Sequence, residues 1–253
     1  MKIGIIGLGL IGGSIFKALE SKYDVVAVSG SVQLPNVSDD YLILKGCNLV
    51  FVCTPMNITL DILDKIEPIL TTDTIVTDVC SLKGFLSRKK YKYKFIPSHP
   101  MAGTENSGWE YSYPKLFDGA KWVITPLNGE ILPEQVLLES VIKAMGANVI
   151  ITNPSEHDEA VALISHLPLL VAQALCENIK DNKLAQELAS SGFRDTTRLA
   201  LSNTQMASDM VELNRQNIMN SFKKFEESMN YLFSNNYKEI AENIKVFRQK
   251  LSK

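Results

Sequence analysis

Only three histidines occur in the 253 residues, and one of them, His99, stands in the stretch SHPMAGTENSG before a proline and close to Gly, Thr, Glu and Asn. A neutral imidazole can take a proton or a hydrogen bond from an alcohol near neutral pH, as a dehydrogenase requires when a hydroxyl-bearing carbon loses hydride. The alternative is a loop histidine bonded to backbone. Ser81, in DVCSLKG, has a hydroxyl that could orient that ring, touch a nicotinamide, or cap a following helix. Thr104 and Glu105 could cap or bind. In SSGFRDTTRLA, Arg194 and Arg198 fall one helical turn apart with Asp195 between them. An arginine fork suits a carboxylate, and a surface ion pair explains the same residues equally well. His166, in ISHLP, reads first as a satisfied core histidine and second as a residue lining a site. The histidines and cysteines show no metal-ligand spacing, so no metal is expected.

The second chemical signal is GLGLIGGS, where Gly7, Gly9 and Gly12 have G-x-G-x-x-G spacing after an apolar run and before a helical one. In that context Gly7 makes the tight turn, Gly9 lets a pyrophosphate approach the backbone, and Gly12 lets helix pack close to strand. Leu8, Leu10 and Ile11 complete the loop, whose N–H groups face phosphate charge. NAD-binding folds place an acid about 20 residues further on for the ribose 2′-hydroxyl. Here the second strand runs into Ser29, Gly30 and Ser31, with no acid before Asp39 and no Arg or Lys between Asp24 and Lys45. Two hydroxyls and a glycine could hydrogen-bond a 2′-phosphate, so the sequence leans slightly to NADP over NAD.

These residues need a scaffold. Through residue 152 the chain alternates β-branched apolar runs with longer mixed segments: KIGIIG, DVVAVS, LVFVCT, TIVTDV, KFIPS, KWVITP and NVIIT. Continuous apolarity suits strands covered on both faces, and the alternation suits βα units around a mostly parallel sheet. The expected fold is a Rossmann-like, doubly wound α/β domain over 1–152 followed by an all-α domain over 153–253. Ligands bind beyond the carboxyl ends of such strands, which delivers Thr54 and Pro55, Asp78 to Ser81, and Ser98 to Pro100 to one edge. In the second half, Ser155 is the expected N-cap of the first helix. Further helices are expected near 183–201, 204–233 and 237–251. The stripe Ile218, Phe222, Phe225, Met229 and Leu232 suits packing within the monomer or against a second copy, and a homodimer through the helical domain is expected.

Composition narrows the partners. Lys plus Arg number 26 and Asp plus Glu 28, so no strong field selects nucleic acid or an anionic membrane, leaving a small-molecule substrate. Four cysteines without a C-x-x-C pair fit a reducing cytoplasm. The glycine-interrupted N-terminus reads as neither signal peptide nor membrane span.

Taken together, GLGLIGGS, CTP, TDVCSLKG, SHPMAGTE, HDEAVALISHLP and SGFRDTTRLA occur in the order found in the prephenate and arogenate dehydrogenases of tyrosine biosynthesis, which this chain resembles over nearly its whole length. The resemblance implies hydride transfer from a hydroxyl-bearing ring carbon to NAD(P), loss of the ring carboxylate as carbon dioxide, and aromatisation. It implies that His99 hydrogen-bonds the ring hydroxyl with Ser81 beside it, that Arg198 holds a substrate carboxylate, and that Thr104, Glu105 and His166 line the pocket. Two positions depart from the pattern of many members: Leu169 replaces the second histidine of His-Leu-Pro-His, and Ala207 stands where many carry Trp. In these respects, and in the serine ending the second strand, the chain is similar to short cyanobacterial-type arogenate dehydrogenases, which implies arogenate with NADP. Competing readings are a reductase of the β-hydroxyacid dehydrogenase type and a cofactor-sensing protein without turnover.

Overall fold

The computed structural model describes residues 1–104, 106–127, 133–233 and 236–251. Strands β1 (Lys2–Ile6), β2 (Asp24–Val28), β3 (Val37–Ser38), β4 (Leu49–Val52), β5 (Ile75–Asp78) and β6 (Lys94–Phe95) form one parallel sheet in the order β3-β2-β1-β4-β5-β6. Helices α1 (Leu10–Leu19) and α2 (Met56–Ile66) follow β1 and β4. Alternate strand residues serve opposite faces: Ile3, Ile5 and Phe51 pack with Phe16 of α1, while Ile6, Val50 and Val52 pack with Leu63 and Ile66 of α2. That double coverage is why these runs are apolar without alternation. The chain order reverses between β1 and β4, and such a switch point opens a ligand crevice.

KFIPS is not one strand. It breaks at Ile96 and Pro97, and the chain starts a second sheet with β7 (Ser98–Met101), which pairs antiparallel with β8 (Lys121–Ile124); β8 pairs parallel with β9 (Asn148–Ile151). Pro97 has no N–H to extend the first ladder. Ser98 joins the sheets, its hydroxyl lying 2.8 Å from Thr77 Oγ1 and accepting from Trp122 Nε1 at 3.0 Å. His99 therefore belongs to a strand and not to a loop. Strand β9 also departs from expectation, because Ile150 and Ile151 are exposed.

Helix α3 (Pro133–Ala144) covers part of the second sheet. The helical half begins with α4 (Pro154–Val161), and its N-cap is Asn153, whose Oδ1 accepts from Glu156 N at 2.9 Å. Ser155 is thus in the first turn and does not cap: Pro154 suits the first helical position, where its missing N–H costs nothing. A π-helical turn, Ala162–His166, links α4 to α5 (Leu167–Asn178). Pro168 cannot donate to the carbonyl four residues back, and the helix widens just before it. Then follow α6 (Lys183–Leu188), α7 (Ser191–Thr197), a 3-10 turn Arg198–Leu201, α8 (Thr204–Leu213), α9 (Arg215–Leu232) and α10 (Tyr237–Lys250). The stretch Pro154–Asn178 is long and apolar enough to cross a membrane by length and composition. It carries His157, Asp158 and His166 in buried polar contacts, while Leu163 and Ile164 on it are exposed. Of the apolar stripe on α9, Ile218 is buried while Phe222 is exposed, as are Phe233 and Phe247 nearby in sequence.

Candidate active site

The glycine loop has the geometry that phosphate binding requires. Gly7 has φ +88°, and a Cβ there would lie 2.6 Å from the Cys53 carbonyl. At Gly12 a Cβ would sit 1.9 Å from the Gly7 carbonyl oxygen, so only glycine lets α1 start this close to β1. Gly9 caps α1, and a Cβ on it would meet nothing within 4 Å. The helix N-terminus therefore faces open space, where its free N–H groups favour an anion.

That space continues into a cleft of about 830 Å³ lined by Gly7, Leu8, Gly9, Ser29, Gly30, Ser31 and Thr54 among others. A dinucleotide fits this lining: glycine backbone for the pyrophosphate, and the turn after β2 for the ribose. Leu10, Ile11, Gly12 and Pro55 lie outside the lining; Leu10, Ile11 and Gly12 belong to the first turn of α1, and Pro55 caps α2. Ser29 Oγ accepts from the backbone N–H groups of Ser31 and Val32, both at 3.3 Å, so the turn is held by the serine itself. Asp39, just after β3, also lines the cleft, and no Lys or Arg is among the described residues that do. Sequence distance hid this acid. The opposite wall is Gly108, Trp109 and Glu110. Trp109 packs over α1 because Gly13 has no side chain; a Cβ there would lie 2.9 Å from the indole. Lys17 Nζ lies 4.2 Å from the indole centroid and donates to Ser112 O at 2.8 Å.

At the ends of β5 and β7 lies a buried polar cluster. Lys83, fully buried, donates to Asp78 Oδ2 and, at 2.6 Å, to Ser98 O. Asp78 is thus a structural partner and does not face a ligand. His99 Nδ1 lies 3.0 Å from His157 Nε2, and His157 Nδ1 lies 2.8 Å from Asp158 Oδ1. Asp158 is fixed in turn by the N–H groups of Lys83 at 2.9 Å and Gly84 at 2.8 Å. Burial holds the His99 imidazolium well below its ordinary pKa, with the charges of Lys83, His157 and His166 acting the same way. His99 is therefore a neutral base at pH 7.

His166 belongs to a second branch. Asn214 Nδ2 donates to Asp158 O at 2.8 Å and lies 3.2 Å from His166 Nδ1, while Asn214 Oδ1 accepts from Asn217. The amide orientation makes His166 Nδ1 an acceptor and leaves Nε2 with the proton. Burial lowers the His166 pKa to about 4 against the opposing pull of Asp158. Its buried Nε2 has no partner in the described structure. Such an orphan donor costs free energy unless a ligand meets it.

The remaining expected residues are more scattered. Ser81 Oγ contacts Met56 Sδ at 3.3 Å, is not bonded to His99, and caps no helix. Thr104 is exposed and accepts from Asn106 N at 3.2 Å. Glu105 lies outside the described residues. Arg198 is exposed on the 3-10 turn beside α5, and among the described residues neither it nor Arg194 forms an ion pair. Burial pushes the Cys80 thiol up to about 12 and the Cys53 thiol well above its usual range, so neither is a thiolate nucleophile. His157 and Asp158 were visible in sequence only as two adjacent residues; nothing in their spacing pointed to His99.

Residues 24–151 match the family description "Prephenate dehydrogenase, nucleotide-binding domain", and residues 153–246 match "Prephenate dehydrogenase, dimerization domain". Prephenate dehydrogenase of Bacillus subtilis (strain 168) is 29% identical over 264 residues, covering 94% of this chain and 71% of the relative. Among solved structures, Synechocystis arogenate dehydrogenase is 33% identical with a TM-score of 0.84, covering 99% of this chain and 100% of that one. Prephenate dehydrogenase from A. aeolicus, solved with hydroxyphenyl propionate and NAD+, is 27% identical with a TM-score of 0.83, covering 100% of this chain and 96% of that one.

Proposed function

Because the chain belongs to the prephenate dehydrogenase family, NAD-linked oxidoreductases of tyrosine biosynthesis, we propose that it converts arogenate to tyrosine by oxidative decarboxylation, with His99 as proton acceptor. The observation that carries this is the neutral His99 near the start of β7, joined through Nδ1 to a buried network that leaves Nε2 unengaged. A nicotinamide bound beyond the glycine loop supplies the acceptor for the hydride of the hydroxyl-bearing carbon. His99 Nε2 takes the hydroxyl proton as that carbon is oxidised. The electron pair of the bond to the ring carboxylate enters the ring and carbon dioxide leaves, and the oxygen takes back the proton held by His99, so that a phenol remains and His99 is neutral again. Arg198 pairs with a substrate carboxylate, the His166 Nε2 proton serves as a neutral donor, and Ser81 and Thr104 complete the pocket.

Arogenate is favoured over prephenate by two side chains. Leu169 and Ala207, where many members carry a histidine and a tryptophan, are buried in one apolar cluster with Val161 and Met210 and offer no donor to the keto group of a prephenate side chain. The 33% identity to an arogenate dehydrogenase supports the same choice. For the cofactor, Asp39 outweighs the serine turn: a carboxylate in a cleft with no Lys or Arg among its described lining residues accepts a ribose 2′-hydroxyl and repels a 2′-phosphate. The proposed cofactor is NAD. We assign 1–152 to cofactor binding and 153–253 to substrate binding and homodimer formation, with the exposed aromatic residues near the C-terminus covered by a second copy. Four unpaired thiols suit the cytoplasm. The test is nicotinamide reduction with arogenate or prephenate, each paired with NAD or NADP. Turnover concentrated in arogenate with NAD is expected; turnover only with prephenate removes the substrate assignment, and silence in all four pairings, with cofactor bound, removes the activity.

A further inference from the structure

We infer that His157 and Asp158 form a positioning pair that fixes His99 in the one tautomer able to accept the substrate's hydroxyl proton. This role presupposes that His99 is the proton acceptor proposed above. With a single proton on the His157 ring, donors and acceptors along the chain leave one assignment. Asp158 accepts from two backbone N–H groups, so both carboxylate oxygens act as acceptors and Oδ1 takes a further proton donor from His157 Nδ1. A neutral His157 with its proton on Nδ1 has only a lone pair on Nε2. At 3.0 Å from that lone pair, His99 Nδ1 must be the donor, and the lone pair of His99 falls on Nε2.

The reverse tautomer would set two lone pairs against each other at 3.0 Å and place an N–H where the substrate hydroxyl needs an acceptor. The two rings stand at 79° with centroids 5.2 Å apart, so they meet through nitrogen edge and do not stack. The pair also ties two parts of the fold together. His157 and Asp158 lie on the first turns of α4 in the helical half, while Lys83, Gly84 and His99 come from the segments after β5 and β6. When the proton reaches His99 Nε2, the Nδ1–H donated to His157 strengthens, because the donor is then cationic. Asp158 is the anion at the far end of the same chain. His157 and Asp158 touch neither substrate nor cofactor; they act through His99.

Two measurements test this. In the intact protein with ¹⁵N-labelled histidine, NMR at neutral pH should show His99 Nε2 as pyridine-type and Nδ1 as pyrrole-type, assignable because only three histidines are present. A pyrrole-type Nε2 overturns the proposal without any variant having to fold. In kinetics, H157F should lower kcat on the order of 100-fold, with substrate KM and cofactor affinity within a few-fold of the unsubstituted protein. H157Q, whose Oε1 replaces the acceptor at Nε2, should recover most of that loss. An unchanged kcat in H157F, or H157Q as impaired as H157F, refutes the positioning role. H99A separates the two levels: if it retains full turnover, the catalytic reading of His99 falls, whereas an inactive H99A beside a fully active H157F removes the pair alone.

Discussion

Gly9→Val and Gly12→Ala should divide cofactor binding from folding. A side chain at Gly9 points into open space, with φ −80° and ψ −157° that valine adopts without strain, so the fold loses little beyond a cap preference of about 1 kcal/mol. At Gly12 the first added carbon would start 1.9 Å from the Gly7 carbonyl oxygen. Reaching ordinary contact means moving α1 from β1 by about 1.5 Å, in an interior that tolerates little more than a methylene. Overpacking of that kind costs about 1–3 kcal/mol and upwards. At about 2–4 °C per kcal/mol for a chain of this size, Gly12→Ala should lower Tm by roughly 2–12 °C and Gly9→Val by at most about 4 °C. Affinity should follow the other order: the valine methyls occupy the pyrophosphate path, and a loss of at least about 100-fold, or 2.7 kcal/mol, is expected. Thermal unfolding gives the first quantity. Quenching of Trp109, which lines the cleft, gives the second on titration with reduced cofactor. Undiminished binding by the folded Gly9→Val protein would refute the placement of the pyrophosphate.

Arg198→Ala should raise the arogenate KM by roughly 10- to 100-fold, the worth of a charge-assisted hydrogen bond, with kcat much less affected; an unaltered KM in steady-state kinetics removes the carboxylate assignment. Asp39→Asn should shift the ratio of kcat/KM for NADP over NAD upward by about tenfold, and a ratio unmoved by the substitution returns the choice to the Ser29–Ser31 turn. Stability should fall in mild acid. His166 has a folded pKa of about 4 against an ordinary value of 6.5. It is neutral in both states above pH 6.5, so that stability is fully present there, and the unfolded chain takes a proton that the native state refuses as pH falls from 6.5 toward 4. Between pH 7.5 and 5 this amounts to about 2 kcal/mol, and His99, also depressed, adds in the same direction. Urea unfolding of His166→Gln at the two pH values should show a smaller difference than the unsubstituted protein; an equal difference assigns the acid sensitivity elsewhere.

What could be read from the sequence divides by the range of the forces involved. The glycine loop was legible because its requirements are local: a positive φ at Gly7 and a close approach at Gly12 concern one strand, one turn and one helix. The parallel sheet was legible because burial on both faces imprints apolar runs on single segments. The break within KFIPS was not, since Ser98 is committed to a second sheet by its pairing with Ile124 and its bond from Trp122, both of β8, which approach only after folding. The same limit applied to Asp39, which reached the cleft by way of a two-residue strand too short to carry a pattern. For the candidate site, the residue types were visible and their partnerships were not. His157 and Asp158 are neighbours in the chain, yet their roles depend on backbone N–H groups of Lys83 and Gly84, about 75 positions away. Those N–H groups are free to bind a carboxylate because residues 79–83 form no strand or helix before the short 3-10 turn Gly84–Arg88. A histidine tautomer at the end of one strand is thus set by the absence of regular structure after another, and local sequence patterns carry no record of that dependence.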